Sequence, residues 1–248
     1  MKWFCLLLLC SSLNGWSQNN KPIELSANLL HAVSAQLPTT SILKEIADLD
    51  ADSLPHLLPT DSHKMAFWIN LFNAFTQIRL SNDSTLFLRQ RAFWKQRDIE
   101  VAGHAISLQH IYHGLLRHSK KPSDGGGKNK WFPSKFEKAN RVQQVNPQIH
   151  FALNSGSIDA PLILVYTEKN ILHLLSLNTK NYLQKLNPGA SNQLMLPQFM
   201  HAYRFDFEQG NGTNHFIQNN GLTATQAALP IHYLPLSTQL RLNNFWID

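Results

Sequence analysis

HKMAFWINLFNAFTQIRL, running from His63 to Leu80, is the stretch whose reading decides the fold class. Met65, Trp68, Ile69, Phe72, Phe75 and Ile78 recur at intervals of three and four, which predicts a long helix with a wide apolar face. Asp61 or Ser62 stands where its N-cap is expected. Asn70 and Asn73 lie about one turn apart inside this greasy helix. Amides in such a setting usually satisfy neighbouring backbone groups; contact with a ligand is the sharper role open to Asn73.

Working outward, Glu24 to Leu37 and Ile42 to Leu49 read as amphipathic helices, with Pro38 closing the first and Pro55 and Pro59 keeping the later connection extended. Thr85 to Phe93 is a weaker helix. Ile99 to Ala102 and Ala105-Ile106 form a hairpin about Gly103-His104, and Ser107 caps a helix from Leu108 to His118. Ser119 to Lys130 is a basic loop containing Gly125, Gly126 and Gly127. Ile149 to Leu153 reads as a strand, and Leu162 to Tyr166 is a second apolar run. Ile171 to Leu177 is a strand or buried helix, followed by a helix from Thr179 to Leu186. Leu194 to Leu196 is a strand, and Gln198 to Glu208 is a helix with Phe199, Tyr203 and Phe207 on one face. Short helices at His215 to Asn220 and Thr223 to Leu229 precede a strand at Ile231 to Leu234, and the chain closes on Phe245-Trp246-Ile247. Without repeats or βαβ alternation, the expectation is α+β: a helix-rich single domain with a small, mostly antiparallel sheet.

Composition narrows the class. With 43% hydrophobic residues, 14 Phe and 15% charged residues, the chain can bury a core and is not of disordered type. The formal charge of +6 permits anionic partners, but outside the 119–130 loop the lysines and arginines are scattered. Lys2, the apolar run Trp3 to Leu9 and the small residues Gly15 and Ser17 have the form of a signal peptide over residues 1–17. That implies export, with a periplasmic or extracellular mature chain beginning near Gln18. Both cysteines, Cys5 and Cys10, fall in that segment, so the mature chain would hold neither disulfide nor thiolate. Residues 18–60 are read as a helical region joined compactly to a domain over 61–248.

The segment His150-Phe151-Ala152-Leu153-Asn154-Ser155-Gly156-Ser157 passes abruptly from apolar to small polar residues, the composition of a turn that presents side chains and backbone N–H groups. It resembles the "HFALNCGS" segment of the domain-of-unknown-function 547 family. Ala66 to Ala74 resembles that family's "FWINLYNA" helix, and Ser107 to Arg117 its "LSLDDIEHGILR" helix, all in the same order. Weaker similarity runs through Tyr203 to Phe207 and Tyr233-Leu234-Pro235. The family's motifs suggest a Cys–His–Glu arrangement. Here Ser155 replaces the Cys, Tyr112 replaces the Glu before His113, and Ala160 replaces a second Cys before Pro161. A serine needs an oriented base and an oxyanion hole to react.

The resemblance therefore implies a catalytically degenerate, exported member that binds a ligand or partner in a pocket around His150, Asn154 and Ser155. The alternative is a serine-dependent hydrolase or acyl transferase with Ser155 as nucleophile and His113 or His150 as base. Asn154, Gly156, Ser157, Tyr112 and Asn73 are the expected ligand contacts. The expected partner is a small molecule, a peptide or an envelope protein, with no specific nucleic acid and no membrane-spanning segment. His110 and His113, three apart, make only a weak metal pair. Neither a phosphate loop nor a nucleotide fingerprint is present, so no metal and no cofactor is expected.

Overall fold

The computed structural model describes residues 20–208 and 211–246. Residues 1–17, where a signal peptide is expected, therefore lie outside the described residues. Helices α1 (Lys21–Ser34), α2 (Thr40–Ala47) and α3 (Leu54–Leu57) lead into α4 (Asp61–Asn82). Pro55 sits in the first turn of α3, where its missing N–H costs nothing, so the connection is helical and not extended. Thr60 is the N-cap of α4, its side chain accepting from the His63 N–H. Asp61 instead reaches across to accept from the Gln143 and Gln144 N–H groups at 2.7 and 2.9 Å.

Every residue of α4 from Lys64 to Gln77 is buried. Over that stretch the helix has no solvent face; it is the axis of the larger of two core clusters, the second of which gathers Phe151, Leu183, Leu196, Met200 and Phe207. A helix buried all round must dispose of its polar side chains, and here most of them bind backbone groups of the segments packed against it. Asn70 donates to the Tyr166 carbonyl at 2.8 Å and accepts from the Tyr166 N–H at 3.0 Å. Asn73 does the same with the Ala152 carbonyl and the Asn154 N–H, both at 2.9 Å. Trp68 donates to Asn140, Lys64 to Arg141, and Arg79 to the carbonyls of Phe93 and Gln96.

Beyond α4 come a 3-10 turn (Ser84–Phe87), α5 (Gln90–Lys95) and the antiparallel hairpin β1 (Ile99–Val101) and β2 (His104–Ile106), with Ile99 opposite Ile106. A π-helix (His110–Leu116) follows, then α6 (Lys135–Asn140) and a 3-10 turn (Pro147–Phe151). The expected strand at Ile149 to Leu153 is thus a helical turn. Pro147 starts it and Asn146 caps it, accepting from the Gln148 N–H at 2.9 Å. Ile149 and Phe151 enter different core clusters, so full burial on all sides hides the periodicity that would have distinguished turn from strand.

A single helix, α7 (Ile171–Leu186), covers what reads as two elements. β3 (Leu194–Pro197) precedes α8 (Gln198–Ala202) and α9 (Arg204–Phe207), which are separate because Tyr203 leaves helical geometry. α10 (Gly212–Asn219), α11 (Ala224–Ala227) and β4 (Ile231–Leu234) complete the chain. β4 pairs with β3 in parallel, Leu194 opposite Ile231. The fold is helix-rich α+β, its strands divided between an antiparallel hairpin and this parallel pair. No helix among the described residues is long and apolar enough to cross a membrane.

Replacing Asn73 with Ala leaves one buried carbonyl and one buried N–H without partners, which should lower the free energy of urea unfolding by about 2–5 kcal/mol. Gln143, whose side chain is exposed, should change it by less than about 0.5 kcal/mol on the same substitution.

Candidate functional site

The Ser107 hydroxyl accepts from the His110 N–H at 3.1 Å and so starts the helical segment that carries the second motif. Its later turns widen to π geometry, with the Ser119 N–H reaching the Gly114 carbonyl at 2.9 Å. Such wide turns often occur where side chains must be re-aimed. Here they set Tyr112, His113 and Arg117 side by side in the interior.

These three join a closed polar network. The Tyr112 hydroxyl lies 2.6 Å from His150 Nδ1, and His150 Nε2 lies 2.9 Å from Asp206 Oδ2. Arg117 Nε donates to the same oxygen at 2.6 Å, and Lys120 donates to Asp206 Oδ1 at 2.8 Å. Arg117 Nη1 lies 2.8 Å from His113 Nδ1, and Nη2 donates to the Gly126 carbonyl at 3.0 Å. The Arg117 guanidinium also lies 4.2 Å from the centre of the Tyr203 ring. Rings of Tyr203, Phe199 and Phe207 surround His150 at 5.0–5.8 Å. Arg117 and Asp206 are fully buried, so their charges are compensated only by each other and by Lys120.

The electrostatics assign the protons. Burial disfavours the charged ring of His113, the nearby Arg117 adds to this, and its pKa falls well below the ordinary value. Burial likewise lowers His150, against the pull of Asp206. Burial alone would raise Asp206, but the bonds from His150 and Arg117 outweigh it and hold the carboxyl well below the usual range. Burial pushes the Tyr112 phenol well up. His150 is therefore neutral: Nε2–H donates to ionised Asp206, and Nδ1 accepts from Tyr112.

The third motif forms a second, separate set of bonds. Asn154 accepts from the Gly156 N–H at 2.8 Å and donates to the Pro161 carbonyl at 2.6 Å, closing a tight turn. Gly156 has φ +84°, and a Cβ there would come within 2.4 Å of Leu80, so only glycine fits. The Ser157 hydroxyl donates to the Ser237 carbonyl at 2.9 Å, and the backbone of Gly156 and Ile158 pairs with Arg241 and Gln239. The C-terminal segment thus covers the turn.

Of the residues expected at the site, His113, Tyr112 and His150 meet in the first set. Asn73, Asn154, Gly156 and Ser157 meet in the second. The polar groups of Asn73 and Asn154 hold the backbone of this turn. Ser155 is half-buried, and its hydroxyl bonds to neither imidazole among the described residues. The carboxylate that orients His150 is Asp206. His110 Nε2 lies 2.9 Å from Glu137 while His113 turns to Arg117, so the two do not converge on a metal, and no cluster of three or more potential ligands occurs among the described residues.

Sequence reasoning missed Asp206, Arg117 and Lys120 as functional residues. The available signals were a lone acid inside the aromatic run Tyr203 to Phe207 and an arginine ending the second motif. Beside the Pro147–Phe151 turn opens a cleft of about 280 Å³, lined by Asn146, Pro147, Gln148, Gly212, His215, Phe216, Asn219 and Asn220.

Residues 57–183 match a family model described as a protein of unknown function, DUF547. The chain belongs to that family. The match spans the first motif, the π-helix and the Asn154–Gly156 turn, but ends before Asp206. No curated protein and no solved structure matches the chain.

Arg117, His113 and His150 lie within the matched span, while their partner Asp206 lies beyond it. An unfolded histidine takes up a proton near pH 6.5, whereas the buried rings resist it to lower pH. The stability that the neutral rings contribute is full above pH 6.5 and is lost as pH falls below it, by up to about 1.4 kcal/mol per pH unit for each ring. Urea unfolding at pH 7.5 and 5.5 should show a fall of about 1–3 kcal/mol, and His113→Gln should flatten that slope.

Proposed function

We propose that the protein is an exported, non-catalytic member of its family that binds a small polar ligand. The observation carrying this reading is the isolation of Ser155: a hydroxyl has no means of ionising near neutral pH without a base in contact. Both nitrogens of His150 are held by Tyr112 and Asp206, and Nδ1 of His113 is held by Arg117. The polar groups that would make a reactive turn are engaged in holding the turn itself.

Binding falls to the cleft that shares its turn with His150. At about 280 Å³ it suits a molecule of one or two small rings or residues. Gln148 Nε2 donates to Asn220 Oδ1 at 2.7 Å and Asn219 Nδ2 lies 2.9 Å from His215 Nε2, so ligand contacts fall to the side-chain oxygens of Gln148 and Asn219, the Asn146 amide nitrogen and the apolar edge of Phe216. That chemistry matches amide-bearing envelope compounds such as N-acetylated sugars or short peptides. Export rests on the residue 1–17 pattern of positive, apolar and small residues.

Thermal denaturation of the full chain with N-acetylglucosamine and with alanyl dipeptides should show a rise in Tm for one class, and Gln148→Ala should abolish it. Turnover of p-nitrophenyl acetate should be the same for the wild type and for Ser155→Ala. A tenfold or greater loss in Ser155→Ala would establish Ser155 as a nucleophile and overturn the non-catalytic reading.

A further inference from the structure

The basic loop and the residues after it are built unlike an ordinary mobile linker. The Lys121 N–H donates to the Lys128 carbonyl at 2.7 Å, the Lys130 N–H to the Ser119 carbonyl at 2.8 Å, and Lys120 bridges Asn129 in antiparallel register. The loop is anchored from below. The buried Arg117 bonds the Gly126 carbonyl, and a Cβ at Gly126 would fall 2.0 Å from Arg117 Nη2. Phe205 lies against Gly127 at the loop's root. On the other side Ser134 caps α6, accepting from the Glu137 N–H at 3.1 Å.

Between these two fixed points stand Trp131, 82% exposed, and Phe132, 92% exposed. They are the two most exposed large apolar side chains among the described residues, and they are adjacent. The surrounding charge is predominantly positive. Residues 119 to 141 contain Lys120, Lys121, Lys128, Lys130, Lys135, Lys138 and Arg141 against the acids Asp124 and Glu137. Glu137 is turned inward and binds Lys130, and Lys120 is bound to buried Asp206. Lys121 stays beside the Trp131 ring, 5.5 Å from its centre, while Lys135 and Lys138 are exposed.

From this geometry we infer that the 119–138 surface docks peripherally on an anionic lipid bilayer, with Trp131 and Phe132 seated at the headgroup level and the lysines against the phosphates. Trp and Phe are favoured at that depth, and basic residues add electrostatic attraction to anionic lipid. A polyanionic glycan would use the lysines but would have no need of Phe132, and a sugar platform would not require an excess of cations. The surface shares no residue with the cleft described above, so either assignment can fail alone.

The test is co-sedimentation of the full chain with phosphatidylglycerol–phosphatidylcholine vesicles and with pure phosphatidylcholine vesicles. All variants keep the same apolar N-terminus, so differences between proteins report on this surface. The wild type should bind the anionic vesicles and release in high salt. The double variant Trp131→Ser/Phe132→Ser should bind roughly tenfold or more weakly, and Lys135→Glu/Lys138→Glu roughly twentyfold or more weakly, since each lysine contributes about fivefold. Vesicles should also shift tryptophan emission to shorter wavelength in the wild type and not in Trp131→Ser. Unchanged urea midpoints would confirm that the exposed substitutions leave the fold intact. Equal binding by the wild type and the aromatic double variant overturns the proposal, as does no binding to anionic vesicles. Aromatic-independent binding to heparin with no vesicle binding would assign the patch to a polyanion instead.

Discussion

A helix with no solvent face imposes the constraint on which this molecule depends. Burying α4 from Lys64 to Gln77 removes its polar side chains from water. Irregular chain packed against it likewise removes backbone groups from water. Each shortage supplies the other: Asn70 pairs with Tyr166, Asn73 with Ala152 and Asn154, Trp68 with Asn140, and Gln77 accepts from the Asn243 N–H. These bonds pair the backbone of segments with little regular structure where they run through the interior. They also place the Asn154–Gly156 turn, because its entry is held by Asn73.

The second organising device is ionic. Arg117 and Asp206 are both fully buried and come from elements 89 residues apart. Arg117 links four things at once: the carboxylate of α9, the ring of His113, the face of Tyr203 and the carbonyl of Gly126. A buried pair of this kind adds little net stability over an apolar core, yet breaking it is expensive because a charge is left stranded. Its consequence is positional. It ties the π-helix, the end of α9 and the glycine loop into one piece, so the exposed aromatics beyond that loop are carried on a fixed base.

The two histidines of the family motifs are each held by neighbouring polar side chains. His150 has an acid partner, an enclosed position and a defined tautomer, which are attributes of an oriented base. Its other nitrogen, however, faces Tyr112 and not a nucleophile. Tyr112 stands where the resemblance places a Glu, and it fills the space as a neutral phenol stacked on His113 at 4.5 Å. Ser155 is left beside this assembly and outside its hydrogen bonding.

Much was legible in the sequence wherever a signal was local. The α4 helix, the hairpin about Gly103, the Ser107 start of the next helix and the backbone role of Asn70 and Asn73 follow from spacing and side-chain chemistry. So do family membership and the tight turn after Asn154, which rest on short contiguous motifs. The reading failed where burial was complete on every side, as at Ile149 to Leu153, because a turn with no wet face shows no period. It failed again where partners were distant. Nothing near Asp206 in the chain points to Arg117, Lys120 and His150. Their meeting is decided by packing of the π-helix against α9, and only that packing could say that His150 faces Tyr112 while Ser155 faces neither ring.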